Sequence, residues 1–269
     1  MSPTHASALS LQGAIFLIDK PPSITSHDVI ARLRRMLGIR RIGHAGTLDP
    51  MATGLLVVAA GPATRLLQYL SGMDKDYTGT FRLGGISTTF DALGEISMND
   101  AAPLPDLDAL KNAAAKFVGE IEQIPPAFSA IKIAGRKAYE LARQGQVVEM
   151  KSRRVTIESF EITDYAPLEA SFFCRVSSGT YIRSLANDVG QILGCGAYLT
   201  ALRRTRIGTF SIEEAQSLDE ENFSIDVALT PAEALSHMPR ARVGSADAIA
   251  RLRHGGQVRS DETDLPPGD

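Results

Sequence analysis

The stretch GHAGTLDPMATGLLVVAAG, residues 43–61, places a lone carboxylate, Asp49, directly before a proline and then runs into the apolar segment Leu55–Ala60. Asp-Pro is ordinary turn chemistry, with proline fixing φ and aspartate bonding nearby amides. A rigid loop ahead of a buried strand is also a common mount for catalytic groups. The apolar run itself reads as a buried strand, and the fold has to be built around it.

Working outward, AIFLIDKPP predicts a buried strand over Ala14–Asp19, stopped by two prolines. SITSHDVIARLRRMLG predicts a helix starting at Thr25 or Ser26, with Val29, Ile30, Leu33, Met36 and Leu37 at helical spacing and Gly38 as its stop. PATRLLQYLSG reads as a helix opened by proline. In DYTGTFRLG, Tyr77, Gly79, Phe81 and Leu83 alternate with the period of a strand. LDALKNAAAKFVGEIEQI (107–124) predicts one helix, followed by strand AIKIAG and helix RKAYELARQG. RRVTIESFEITDY and EASFFCRVSS are β-rich, GTYIRSLANDVGQILG helical, and LTALRRTRIGTFSI strand pairs. Strands and helices mix without strict βαβ alternation, which implies an α+β or mixed α/β domain and not a doubly wound sheet. From about Met238 the sequence changes character, and the acidic tail SDETDLPPGD reads as disordered.

The 269 residues carry a net charge of −3, with 44% hydrophobic and 22% charged side chains. That is a globular composition, and it argues against a generally basic nucleic-acid binder. The charges are segregated, however. Arg32–Arg41 holds five arginines and Arg203–Arg206 three, whereas Ser211–Asp226 has six acids and no base. With only Cys174 and Cys195, no CxxC pattern, no signal-peptide pattern and no apolar run near the ~18 residues of a membrane helix, the expectation is a reducing cytoplasm.

Several chemistries lack their residues. The five histidines are scattered without ligand spacing, and neither GxxxxGK[ST] nor GxSxG occurs. A phosphoaspartate enzyme would need a second carboxylate two residues beyond Asp49 to hold magnesium, but Met51 stands there. What remains is Asp49, the strand tyrosine Tyr77 and Arg183 in the first turn of a helix. Taken singly, each also reads as a turn, packing or surface residue. The arginine clusters also read as solvated helix faces.

Together, GHAGTLDPMATGLLVVAAGPATR, LIDKPPSITSHDVIARLRR, DKDYTGTFRLG, PPAFSAIKIAGRKAYELARQG and SSGTYIRSLANDVG resemble the bacterial tRNA pseudouridine-55 synthases, the TruB family. The motifs keep the family's order over roughly Gly13 to Gly208. The resemblance implies a pseudouridine-synthase core, a mixed and largely antiparallel sheet flanked by helices. Its implied activity is isomerisation of uridine 55 in the T-loop of tRNA, with no metal and no organic cofactor. Asp49 is then the catalytic carboxylate, Arg183 its partner, and Tyr77 the residue that stacks on the target base and relays its proton. His44 matches the position that takes up stacking space when the base flips out, and Lys20, Tyr181 and Leu202 match substrate contacts. The partner is the T-arm stem-loop, gripped through the arginine patches of a monomeric, cytoplasmic protein.

Two departures accompany the match. Arg65 stands where many relatives carry lysine. Family members also commonly end in a β-rich PUA domain, whereas here residues 238–269 are only a shortened or truncated segment resembling its start, after a catalytic domain over 1–237. The competing reading is a non-catalytic RNA-binding or tRNA-remodelling protein on the same fold.

Overall fold

The computed structural model describes residues 13–99, 101–129, 131–133, 135–144, 146, 149–219, 221–259 and 262–264. Most of the acidic tail expected to be disordered lies outside them. The chain divides into two compact units at Pro231/Ala232.

The first unit opens with strand β1 (Ala14–Lys20), helix α1 (Ser26–Leu37), and strands β2 (Ile42–His44) and β3 (Thr53–Ala60). As its sequence predicts, α1 begins at an N-cap, Thr25, whose side chain accepts from the Asp28 amide while the Asp28 carboxylate accepts from the Thr25 amide. Gly38 ends it in the left-handed conformation, φ +66°. Its apolar stripe, Val29, Ile30, Leu33 and Leu37, packs on alternate residues of β1 (Ala14, Phe16, Ile18) and β3 (Leu56, Val58, Ala60). A 3₁₀ turn over Gly61–Leu66 and one α turn, α2 (Leu67–Leu70), follow, where the sequence predicts a regular helix. There the Thr64 hydroxyl donates to the Gly61 carbonyl at 2.9 Å, tightening the turn.

Next come β4 (Lys75–Leu83), β5 (Gly85–Ser87), β6 (Ile96–Met98), α3 (Leu107–Ala115) and β7 (Gly119–Gln123). The helix predicted over 107–124 is therefore only half right. It stops at Ala115, Gly119 adopts φ +111°, and the remainder extends to pair with β10. Helix propensity in Glu120–Gln123 yields to an available strand edge, a tertiary choice that no local pattern records. The predicted strand and helix over 130–145 become a short hairpin, β8 (Lys132–Ile133) and β9 (Arg136–Lys137), before α4 (Ala138–Arg143).

Strands β10 (Arg153–Ala166) and β11 (Glu169–Val176), helix α5 (Ile182–Leu193), and strands β12 (Ala197–Ile207), β13 (Phe210–Ser211) and β14 (Gln216–Ser217) complete the unit. The main sheet runs β14-β1-β3-β12-β4-β11-β10-β7, with β2 also on β3 and β13 on β12. Only β1–β14 and β3–β12 are parallel, so the sheet is mixed and largely antiparallel, as expected. The β3–β12 pair joins the N-terminal third of the chain to the strands of the C-terminal half and carries the segment after Asp49 into the sheet centre.

Helices α3 and α5 cover the second core, where Leu110, Leu185 and Val189 meet Phe81, Phe160, Phe172 and Val176. Each fully buried side chain of this size contributes about 1.5–3 kcal/mol. Gly190 sets how closely α5 lies on the start of β12, because a Cβ there would sit 2.1 Å from the Ala197 amide nitrogen. That neighbour is backbone and cannot turn aside. Gly190→Ala is expected to destabilise the protein by about 1–3 kcal/mol by overpacking, read from a denaturant titration at unchanged m-value.

Within the second unit, helix α6 (Ala246–Arg253) is capped by Ser245, Val243 bridges Thr263, and Arg251 pairs with Glu262. Among the described residues no helix is long and apolar enough to cross a membrane.

Candidate active site

Asp49 lies in the loop between β2 and β3, and that loop is tied down on every side. The Ala45 amide donates to the Val57 carbonyl at 2.9 Å, and the Ser23 amide to the Pro50 carbonyl at 2.9 Å. The Ser26 hydroxyl both accepts from the Leu48 amide (2.9 Å) and donates to the Leu48 carbonyl (3.2 Å). Lys20, fully buried, spends its ammonium on the carbonyls of Ile24 (2.7 Å), Pro21 (2.9 Å) and Pro50 (3.3 Å). Lys20, expected among the substrate contacts, braces the loop from a buried position and also lines a cleft with Asp19, Thr53 and Arg203. Burial, partly opposed by the Asp49 charge, lowers its pKa to about 8.

The Asp49 side chain is 34% exposed, and both its oxygens are held by one arginine. Arg183 Nε donates to Oδ2 at 2.8 Å and Nη2 to Oδ1 at 3.1 Å, a bidentate pair. Arg183 is itself only 4% exposed, because the first turn of α5 turns it inward. Its remaining donors reach the carbonyls of Thr89 (2.8 Å) and Phe128 (3.0 Å). Burial pushes the Asp49 carboxyl above the usual carboxylate range, and Arg183 pulls it back towards the ionised form.

A second carboxylate enters this site that sequence reading missed. Asp91, 4% exposed, sits 3.6 Å from Arg183 Nε and accepts from the Thr89 hydroxyl at 2.6 Å and the Leu93 amide at 3.0 Å. It lies in STTFDALGE, an irregular segment between β5 and β6 with no period or motif to mark it. Arg183 therefore stands between two aspartates, and the Asp91 charge adds to the upward push on Asp49.

Tyr77 projects from β4 into the same cluster as Leu48 and Ala52 and is 6% exposed. Burial raises its phenol pKa, while Arg204, its register partner on β12, opposes the rise. His44, at the end of β2, stands edge-on to His27 with ring centroids 5.8 Å apart. Burial, reinforced by His27, lowers its pKa to about 4, so it is neutral at physiological pH, and its buried Nδ1 has no hydrogen-bond partner among the described residues. Tyr181 caps α5, its backbone held by the Gln123 amide group at 2.8 and 3.1 Å and its ring under the Arg153 guanidinium, 4.7 Å away. Leu202 lines a cleft of about 390 Å³ with Met51, Thr53 and Thr78. Gln123 and Arg153, like Asp91, carry no sequence signature of these roles.

The two arginine clusters part ways in the structure. Arg203 binds Asp19 in a bidentate pair at 3.0 and 2.7 Å, and Arg206 does the same with Asp76 at 2.7 and 2.9 Å. Arg204 between them is 1% exposed. The expected patch at Arg203–Arg206 is thus consumed by cross-strand pairing and burial. By contrast, Arg34, Arg35, Arg40, Arg41 and Arg65 are exposed and form no ion pair among the described residues. The segments that carry them meet, since Arg34 donates to the Ile42 carbonyl and the Gly61 amide to the Arg41 carbonyl.

Comparison with known proteins places this geometry in company. Residues 34–182 match the profile "TruB family pseudouridylate synthase (N terminal domain)", and residues 183–235 match "tRNA pseudouridylate synthase B C-terminal domain". The chain is 46% identical over 253 residues to the tRNA pseudouridine synthase B of Thermobifida fusca, covering 91% of this chain and 86% of the relative. It is 47% identical over 205 residues to that of Opitutus terrae, covering 76% and 85%. Among solved structures it is similar to the Cbf5-Nop10-Gar1 complex, with a TM-score of 0.71 and 29% identity over 93% of this chain and 69% of that one.

Proposed function

Because this chain belongs to the TruB family of pseudouridylate synthases and isomerises uridine to pseudouridine in tRNA, we propose that Asp49 performs the chemistry on uridine 55 of the T-loop. The observation that carries the assignment is the bidentate Asp49–Arg183 pair at the N-terminus of α5. Isomerisation breaks the bond from C1′ to N1, turns the base, and joins C1′ to C5, while a proton leaves C5 and one is gained at N1. An ionised carboxylate beside the ribose can attack C1′, attack the base, or remove the C2′ proton. All three begin from the state that Arg183 favours.

The target uridine lies in a structured loop and has to leave its stack to reach Asp49. His44 takes up the vacated stacking space, which suits an uncharged imidazole. Tyr77 faces the extruded base, with Tyr181 and Leu202 as further contacts. Arg183, Asp91 and Tyr77 are buried and close one side of the centre, and the bound base covers the exposed face of Asp49, as a sugar intermediate open to capture by water requires. No step calls for a metal or organic cofactor. A monomer acting in the cytoplasm suffices, with residues 1–237 as the catalytic domain and 238–269 adding affinity. The non-catalytic reading loses ground, since a binding protein has no use for a buried arginine aimed at a half-exposed carboxylate.

The direct test is unmodified tRNA incubated with the purified protein and mapped for pseudouridine, beside an isolated T-arm stem-loop. A single modified uridine in the T-loop of both substrates is expected, whereas binding without modification would favour the competing reading. The exposed arginines of α1, of the segment leading into β2 and of the 3₁₀ turn supply the phosphate contacts. Replacing Arg40, Arg41 and Arg65 together with glutamine is expected to weaken tRNA binding and flatten its log–log salt dependence by up to about 0.7–0.9 per lost contact. The single-turnover rate at saturating enzyme should stay near the parent value.

A further inference from the structure

Arg204 has the largest fully buried side chain among the described residues, yet no carboxylate lies within ion-pairing distance of it there. Burying a guanidinium without a counter-charge is unfavourable unless its donors are closely satisfied. Its two neighbours in the motif each find an aspartate, Asp19 for Arg203 and the buried Asp76 for Arg206, so pairing was available to β12 and Arg204 does not use it.

What it does instead is specific. Nε donates to the Leu55 carbonyl at 2.7 Å and Nη2 to the Gly46 carbonyl at 3.1 Å. Gly46 precedes Asp49 in the loop and Leu55 follows it in β3, so one side chain fastens both flanks of the Asp49 segment. The backbone of β12 at Arg204 also lies tight against β3. A Cβ on Gly46 would lie 3.6 Å from Nη1, and one on Gly54 only 2.3 Å from the Arg204 carbonyl oxygen. Across the sheet Arg204 is the register partner of Tyr77. A guanidinium has donors and no acceptor, so in any contact with Arg204 the phenol oxygen can only accept, which leaves the hydroxyl proton free to point elsewhere. Burial raises the Tyr77 pKa and the Arg204 charge opposes that rise, favouring release of the proton.

We propose that Arg204 is a positioning residue of the isomerisation, holding the Asp49 loop at Gly46 and Leu55 and orienting the Tyr77 hydroxyl as a proton donor. This rests on the assignment of Asp49 and Tyr77 above. It gives the middle arginine of LRRTR a role distinct from RNA contact.

The test is a double-mutant cycle in the full chain: Arg204→Gln and Arg204→Lys, each alone and combined with Tyr77→Phe. Single-turnover rate at saturating enzyme, tRNA affinity and thermal midpoint are read for each. Arg204→Gln is expected to lower the saturated rate by about 100-fold, with tRNA affinity within about threefold of the parent. Lysine keeps the charge but cannot span Gly46 and Leu55, so Arg204→Lys recovers only part of the loss. In the Tyr77→Phe background, Arg204→Gln should lower the rate by less than about tenfold further, because the hydroxyl it orients is already gone. If Tyr77→Phe is impaired and the two losses simply multiply, Arg204 does not act through the Tyr77 hydroxyl and the proposal as stated is overturned. Parent-like turnover by Tyr77→Phe itself would refute the assignment of Tyr77, and with it the hydroxyl half of the proposal. Should Arg204→Gln fail to fold, Arg204→Lys decides: full activity overturns the proposal, and a loss that shrinks beside Tyr77→Phe supports it.

Discussion

Asp49→Asn is expected to reduce pseudouridine formation by about four orders of magnitude or more, the scale on which enzymes lose a group that acts in the chemical step itself. Asparagine keeps the shape of the side chain and can still accept from Arg183 through its carbonyl oxygen. It removes the negative charge and the nucleophilic oxygen. The loop should stay in place, because its anchors are Ser26, Lys20, Arg204 and backbone partners rather than the carboxylate. tRNA affinity is therefore expected to remain near the parent value while the single-turnover rate collapses. A variant that turns over normally would remove Asp49 from the mechanism and with it the reading of the site.

The second large effect belongs to Arg183, whose contacts depend on fork geometry. Its guanidinium serves both Asp49 oxygens and the carbonyls of Thr89 and Phe128 at once. Lysine retains the charge as a single point and cannot reach four acceptors in a plane. Arg183→Lys is expected to lower the saturated rate by about 10²–10⁴-fold, the range for misplacing a group at the reacting centre. A charge-removing companion, Arg183→Gln, makes a prediction of sign. Burial already raises the Asp49 pKa, the Asp91 charge adds to the rise, and Arg183 opposes both. Activity needs the ionised carboxylate, so the rate is lost as pH falls through the folded-state pKa, above the ordinary carboxylate range. Without the guanidinium that pKa rises further, and the acid limb should move to higher pH. A single-turnover profile across about pH 5–9 checks it. An acid limb that stays put or moves down would mean that Arg183 does not govern the ionisation of Asp49.

Arg183 also has a stability consequence. It is nearly inaccessible, so removing Asp49 leaves it facing Asp91 alone. The second carboxylate keeps the buried cation compensated, which is the physical reason Asp49→Asn should fold.

How much of this was legible in the chain varies with the distance over which each feature is decided. The limits of α1 are local chemistry, a threonine cap at one end and a left-handed glycine at the other, and they stand in the sequence at Thr25 and Gly38. The alternation of Tyr77, Phe81 and Leu83 marks β4 for the same reason. The family motifs singled out Asp49, Tyr77 and Arg183, and the fold sets Asp49 against Arg183 across 134 residues of chain. The sequence by itself thus determined the family, the mixed fold class and the carboxylate–arginine pair, because motif order, caps and periodicity are written residue by residue. Only the tertiary structure decided where the helix over 107–124 gives way to β7, since the edge of β10 lies far along the chain. It also decided the fate of each arginine. In LRRTR three identical side chains become a partly exposed pair with Asp19, a buried clamp on the Asp49 loop and a pair with the buried Asp76. Lys20 turned inward, and Asp91 entered the site unannounced, for one reason. A charge in a sequence has a sign but no neighbours, and whether it meets water, a carbonyl or an opposite charge is settled by strand register and burial when the sheet closes.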